Sequence, residues 1–344
     1  MFFYLRHDQI NWKKLGSGYK IRWFREQDVD AYIRGLNDAL YDCYDLRRFR
    51  WKFVENPYNL GFTPIAVVEE EVNGRPVGFN GFVPFQVVAG GERFLAVQGC
   101  DGFVDHDHQR RGLFSKTLEF MEAEKVDKGP ELLLSFNFLG STATAQKTGS
   151  IAVCTINKWT FEPDAFASMV SDLRRGATLE PCGIEDVHRV YQRWSKATRY
   201  LHIHRDLDYL KWRYRNPLRQ YTFHLIERRG SVKGYVILGI EEDEGSNIMG
   251  IDDYVLLDLD PRILMGAVFD LAGPMEGLGC IELSTIQGGE MDQALTMLGA
   301  EPEPRSTMIL KGIKGVEARG DRLFRGNVEI SDAKDWYITN SDMF

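Results

Sequence analysis

The sequence predicts an α/β protein made of two similar domains in tandem, 1–165 and 166–344, of which only the first carries an anion-binding turn. Three observations lead there. Residues 101–120 read as a strand that passes through Gln109-Arg110-Arg111-Gly112 into an amphipathic helix. A second strand and a short helix follow at once, the alternation of a layered α/β fold. The same order of motifs then returns roughly 150 to 160 residues later.

In chain order, residues 21–40 give a strand and then a helix, and Trp51-Lys52-Phe53 precede Asn56-Pro57. Phe94, Ala96, Phe103 and Val104 mark a further strand. Phe114, Leu118 and Met121 fall at i, i+4 and i+7, so the helix after the turn has an apolar face to lay on a sheet. The N–H groups that open a helix have no intrahelical partner and carry about half a positive charge, which suits a diphosphate. Gly112 permits close approach of the backbone, and Arg110 and Arg111 add charge. Leu132-Leu133-Leu134-Ser135-Phe136-Asn137 is a buried strand, followed by a short helix that ends at Gly149.

The second copy begins with 179–197 as counterpart of 21–40. Trp212-Arg213-Tyr214 before Asn216-Pro217 echoes Trp51-Lys52-Phe53, Asp252-Asp253-Tyr254-Val255 echoes Asp101-Gly102-Phe103-Val104, and Gly299 echoes Gly149. Residues 162–177 join the two patterns. Aligned through Val104 and Val255, Gln109 falls on Asp260, Arg110 on Pro261 and Gly112 on Ile263. An acid repels a diphosphate and a β-branched residue blocks close approach, so the second copy is expected to hold no such ligand and to close one side of the pocket instead.

Composition excludes several classes. A net charge of -8 opposes non-specific nucleic-acid binding. No apolar run reaches the roughly 20 residues of a membrane span, and residues 1–14 lack the apolar core of a signal peptide, so a cytoplasmic location is expected. The cysteines number five and form no CxxC pair, which suggests neither a disulfide framework nor a zinc site. His106/His108 and His202/His204 lack evident further ligands, so no metal is expected.

The segment Val104 with Gln109-Arg110-Arg111-Gly112-Leu113-Phe114 resembles motif A of the GNAT superfamily of N-acetyltransferases, with Phe114 departing from the usual small residue. The resemblance implies mixed twisted sheets flanked by helices, acetyl-CoA or another acyl-CoA as cosubstrate, and a primary amine of a small molecule as acceptor. It places the main chain of Phe103, Val104 and Asp105 along the pantetheine, Gln109, Arg110, Arg111, Gly112, Leu113 and Phe114 on the pyrophosphate, and Asn137 on the cofactor arm.

The base is less plain. The family glutamate on strand four falls on Gln98, which cannot take a proton, and the family's tyrosine acid falls near Ala145. Asp101, an acid in an apolar strand, is one candidate, with a shared role in the fold as its alternative because Asp252 recurs in the copy without a cradle. The carboxylate of Phe344 is the other, if the aromatic tail 335–344 docks over the molecule, since certain tandem members use the chain end in this way. Tyr41, Tyr44, Arg47, Arg48, Trp51, Tyr58 and Phe85 lie where acceptors bind in the family and would suit an amino sugar or nucleotide sugar of surface-polysaccharide synthesis, with Trp51 and Phe53 reading also as core. Two other classes remain open: a tRNA-dependent aminoacyl transferase of the related tandem type, which the net charge opposes, and a non-catalytic interaction module.

Overall fold

A computed structural model describes residues 13–14, 18–40, 43–123, 129–137, 139–173, 176–243, 245–273 and 275–344. The N-terminal stretch 1–12 and Tyr41, both used above, lie outside them. The first half supplies strands β1 (Lys13–Lys14), β2 (Tyr19–Trp23), β3 (Ile65–Glu70), β4 (Pro76–Ala89), β5 (Glu92–Val104), β6 (Leu132–Asn137) and β7 (Ile151–Phe161). The second supplies β8 (Thr178–Pro181), β9 (Leu201–Ile203), β10 (Gln220–Arg228), β11 (Ser231–Asp243), β12 (Ser246–Leu256), β13 (Leu278–Ile286) and β14 (Glu303–Gly312). A small sheet, β15 (Val316–Arg319), β16 (Arg322–Arg325) and β17 (Val328–Glu329), precedes the short β18 (Trp336–Tyr337).

The two halves share one mixed sheet, whose central order is β5-β6-β14-β7-β13-β12. That order is a palindrome: exchanging β5 with β12, β6 with β13 and β14 with β7 returns it. Each half therefore lends a strand to the other, β14 lying beside β6 and β7 beside β13, in both cases antiparallel. The pairs β5/β6 and β12/β13 are parallel, as strands joined through a crossover helix must be. Those helices are α1 (Val29–Ala39), α2 (Leu46–Phe49), α3 (Leu113–Ala123), α4 (Leu139–Lys147), α5 (Pro163–Met169), α6 (Ile184–Ala197), α7 (Leu207–Arg213), α8 (Pro261–Ala272) and α9 (Glu290–Met297), with α3 and α8 making the two crossovers.

Trp51 and Trp212 repeat the symmetry in side chains. Each indole N–H donates to the main-chain carbonyl of the other residue, at 2.9 and 2.6 Å, and the rings stack at 5.7 Å between centroids. Both are buried, so the repeated tryptophans are core, and they bolt the halves together. Phe53 is buried with them.

The chain end belongs to this core. β18 pairs in parallel with β9, which also pairs with the end of β4. Trp336, Ile338, Thr339, Ser341 and Asp342 are buried. Among the described residues no helix is long and apolar enough to cross a membrane.

Candidate active site

The site begins where two parallel strands part. β5 and β6 pair only over Ala96–Gln98 and Leu132–Leu134; beyond that β6 continues against β14, while β5 stays on β4 as far as Val104. Among the described residues the edge of Gly99–Val104 that faces β6 thus has no strand partner. A bulge opposite Asn80 adds bend, and Asp101 sits in it at φ 49°, a strained conformation for a residue with a side chain. The Phe103 ring points the other way, into the core over α1, where a Cβ on Gly35 would lie 2.2 Å from it.

The opening leads to the turn. Asp105 holds its strand position through a bond from its N–H to the Val77 carbonyl, and burial pushes its carboxyl pKa up. Gln109 donates to the Val104 carbonyl at 3.0 Å, tying the turn to the strand end. Arg110 at φ 60° and Gly112 at φ 71° bend the chain back. A Cβ on Gly112 would meet nothing within 4 Å, so the space in front of α3 is open, as a diphosphate requires. Arg111 is braced by Tyr19 Oη at 2.7 Å and the Asp107 carbonyl at 3.0 Å, and the same Tyr19 hydroxyl bonds His108 Nδ1 at 2.8 Å. Leu113 is buried under the helix. Phe114 is accommodated by a glycine: a Cβ on Gly102 would stand 2.6 Å from its ring.

Asp101 is not an open carboxylate. Lys52 Nζ lies 2.7 Å from it with both side chains at most 1% exposed, and the Tyr32 and Tyr44 hydroxyls donate at 3.4 and 3.3 Å. The second half builds the same device on Asp253, which pairs with Arg205 at 2.8 Å and accepts from Tyr214 and Tyr235. Asp252, which the sequence aligns with Asp101, instead pairs with Arg219 at 2.6 Å; the β12 bulge falls at 252, so the buried acid is displaced by one residue.

Phe344 comes to the opening from the far end of the chain. Its ring packs on Trp212 and Trp51, at 5.5 and 6.2 Å, with the Arg213 guanidinium 4.8 Å above it. The Gln98 amide, oriented to satisfy both neighbours, donates to the Asp342 carbonyl and accepts from the Phe344 N–H, each at 2.9 Å. Gln98 is the last residue of β5 paired with β6, so the chain end sits where the strands part. Arg213 Nε donates to the Ser341 carbonyl at 2.6 Å. Asp342 reaches Arg205 at 2.8 Å; burial, with Asp253 close by, outweighs that guanidinium and raises its pKa.

The corresponding turn in the second half is filled by its own side chains. Asp260 caps α8 by accepting from the Arg262 N–H at 3.0 Å and pairs with the Arg262 guanidinium, while Ile263 packs into the core beside it. Asn137 ends β6 opposite Thr307, half-buried. Tyr44, Trp51 and Phe85 are buried and Tyr58 is tied to Asp206 at 2.6 Å, so these rings form no open stacking surface; Arg47 is exposed and pairs with Asp45. Ala145 is buried on α4. Among the described residues no three His, Cys, Asp or Glu side chains are grouped to hold a metal.

Solved structures share this architecture. A GCN5-related N-acetyltransferase from Anabaena variabilis matches with a TM-score of 0.63 at 14% identity, over 86% of this chain and 73% of its own. A probable N-acyltransferase from Enterococcus faecalis gives 0.63 at 13%, over 87% and 73%. Saccharomyces cerevisiae N-myristoyltransferase with bound myristoyl-CoA gives 0.57 at 11%, over 95% and 91%. No family model and no curated protein matches the sequence.

Proposed function

We propose that this chain, which has the fold of the GCN5-related N-acetyltransferases, transfers an acyl group from acyl-CoA to a primary amine of a small molecule. The observation that carries the reading is the parting of β5 and β6 toward an open helix N-terminus at Gly112. The first half, to about residue 165, would bind the cosubstrate, and the second, whose matching turn is capped by Asp260, would close the pocket.

The α3 N-terminus with Arg110, Arg111 and Gly112 fits a pyrophosphate, the free edge of Gly99–Val104 fits the pantetheine amides, and Asn137 ends β6 beyond the point where β5 leaves it. Bound there, acyl-CoA supplies an acyl group activated as a thioester. A general base at the opening takes one proton from the acceptor ammonium and frees the nitrogen lone pair for attack. The second nitrogen proton leaves with the thiol, and the base returns its own to water. Asp101 is excluded from this role by its ion pair with Lys52. The buried aromatics select no sugar ring, so the acceptor is defined here by its amine.

The test is release of free thiol from acetyl-CoA and longer acyl-CoA thioesters in the presence of a panel of primary amines. Amine-dependent release is expected. Thiol release no faster with any amine than by hydrolysis alone would overturn the reading.

A further inference from the structure

We infer that Tyr19 and His108 are positioning residues that hold the Arg111 guanidinium beside the α3 N-terminus, ordered in advance for the diphosphate of the cosubstrate. The inference rests on the acyl-CoA reading above. An exposed arginine ordinarily has to be ordered by its ligand, and that ordering lowers affinity. Arg111 is exposed but not loose. Its Nη1 donates to Tyr19 Oη at 2.7 Å and its Nη2 to the Asp107 carbonyl at 3.0 Å. Tyr19 opens β2 and is buried in the cluster that also takes in Leu113, Leu118 and Met121 of α3, so the brace and the helix share one core.

The bonding pattern fixes the protons along this chain of side chains. Arg75 Nη2 lies 2.9 Å from His108 Nε2, and a guanidinium only donates, so Nε2 carries the lone pair and Nδ1 the hydrogen. Nδ1–H then donates to Tyr19 Oη at 2.8 Å. The Tyr19 oxygen therefore accepts twice, from His108 and from Arg111, and is held from both sides. The His108 ring, itself buried, meets the phenol edge-on at 5.8 Å between centroids. Both groups that hold Arg111 are neutral, a hydroxyl and a carbonyl, so neither cancels its charge, and its remaining N–H groups stay available to an anion. The second half does the opposite. Arg262, at the corresponding turn, pairs with Asp260 at 2.6 Å and spends its charge within the turn.

Tyr19→Phe removes the hydroxyl and keeps the ring in its core. In calorimetric titration, coenzyme A should bind roughly three- to tenfold more weakly to Tyr19→Phe, the effect of having to order one long side chain. Arg111→Ala should bind it about ten- to a hundredfold more weakly, since the charge-assisted contact itself is lost. In the double variant Tyr19→Phe should add nothing to Arg111→Ala, because a residue that acts through another has no effect once the other is gone. His108→Asn leaves Tyr19 in place and should weaken binding in the same direction, so the test survives if one variant fails to fold. A merely structural disturbance is separated by S-acetylpantetheine, a thioester without the diphosphate. Its kcat/KM in amine acetylation should be equal in wild type and Tyr19→Phe, while kcat/KM for acetyl-CoA falls with the affinity. A long-range proton–nitrogen NMR spectrum of the wild type, at about pH 8 and so above the usual histidine range, should show His108 as the Nδ1–H tautomer.

Undiminished coenzyme A affinity in Tyr19→Phe overturns the inference, as does a loss that adds in full to that of Arg111→Ala. An equal loss toward S-acetylpantetheine, or His108 found as the Nε2–H tautomer, overturns it as well. Wild-type protein that binds no coenzyme A overturns the cosubstrate reading and the brace with it. Wild-type protein that binds coenzyme A but acetylates no amine overturns only the transfer reaction, and the binding cycle still decides the brace.

Discussion

Asp101→Asn should act on stability first and on turnover only as a consequence. The carboxylate and Lys52 are 2.7 Å apart and both side chains are buried from bulk solvent. An asparagine keeps an oxygen for the Tyr32 and Tyr44 hydroxyls but leaves the Lys52 ammonium without a counter-charge. Breaking one side of a buried pair in this way costs about 3–5 kcal/mol. With an m-value of about 3 kcal/mol/M, the urea midpoint should fall by roughly 1–2 M, followed through the tryptophan fluorescence. Replacing both partners, Asp101→Leu with Lys52→Met, removes the orphaned charge along with the pair and should recover most of the loss. The contrast between the single and the double variant isolates the pair. An Asp101→Asn protein that unfolds at the wild-type midpoint yet loses turnover would refute this reasoning and return Asp101 to the list of bases.

Deleting Asp335–Phe344 strips Arg205 of one carboxylate, uncovers β9 and removes the buried Trp336 and Ile338, each worth about 1.5–3 kcal/mol. The truncated chain should therefore be strongly destabilised in thermal melts; a truncation melting with the wild type would contradict this. His202 is held neutral by burial, its pKa depressed to about 3 from 6.5, so its contribution is complete above pH 6.5 and is lost as pH falls toward 3. At pH 5 the loss is roughly 2 kcal/mol, from 1.36 kcal/mol per pH unit, and His202→Asn should flatten the stability profile between pH 6.5 and 5 relative to wild type.

The strand–turn–helix at 101–120 and the repeat were legible because both depend on local periodicity and on glycine, which the sequence displays directly. That the turn at Asp260 differs from the one at Gln109 was legible too, and the structure adds that this acid caps its own helix. The exchange of β7 and β14 was not, because a strand's alternation of side chains is the same whichever neighbour it pairs with. Lys52 carried a signal that went unused: in Trp51-Lys52-Phe53 and Trp212-Arg213-Tyr214 a cation recurs between two core aromatics, which marks a buried charge in need of a partner. The one-residue slip between Asp252 and Asp253 arises from a bulge, which no gapless alignment shows. Gln98 was recognised as no base, but its bond to residues 342 and 344 joins positions about 250 apart in the chain, beyond any local pattern.

Calorimetric titration with coenzyme A tests the central claim most directly, in wild type, in Gly112→Glu and in Ile263→Glu. One site per chain is expected, lost in Gly112→Glu because a carboxylate would enter the open space before α3, and kept in any folded Ile263→Glu protein because that turn is already capped. Binding undiminished in Gly112→Glu, or a second site abolished by Ile263→Glu, would contradict the account.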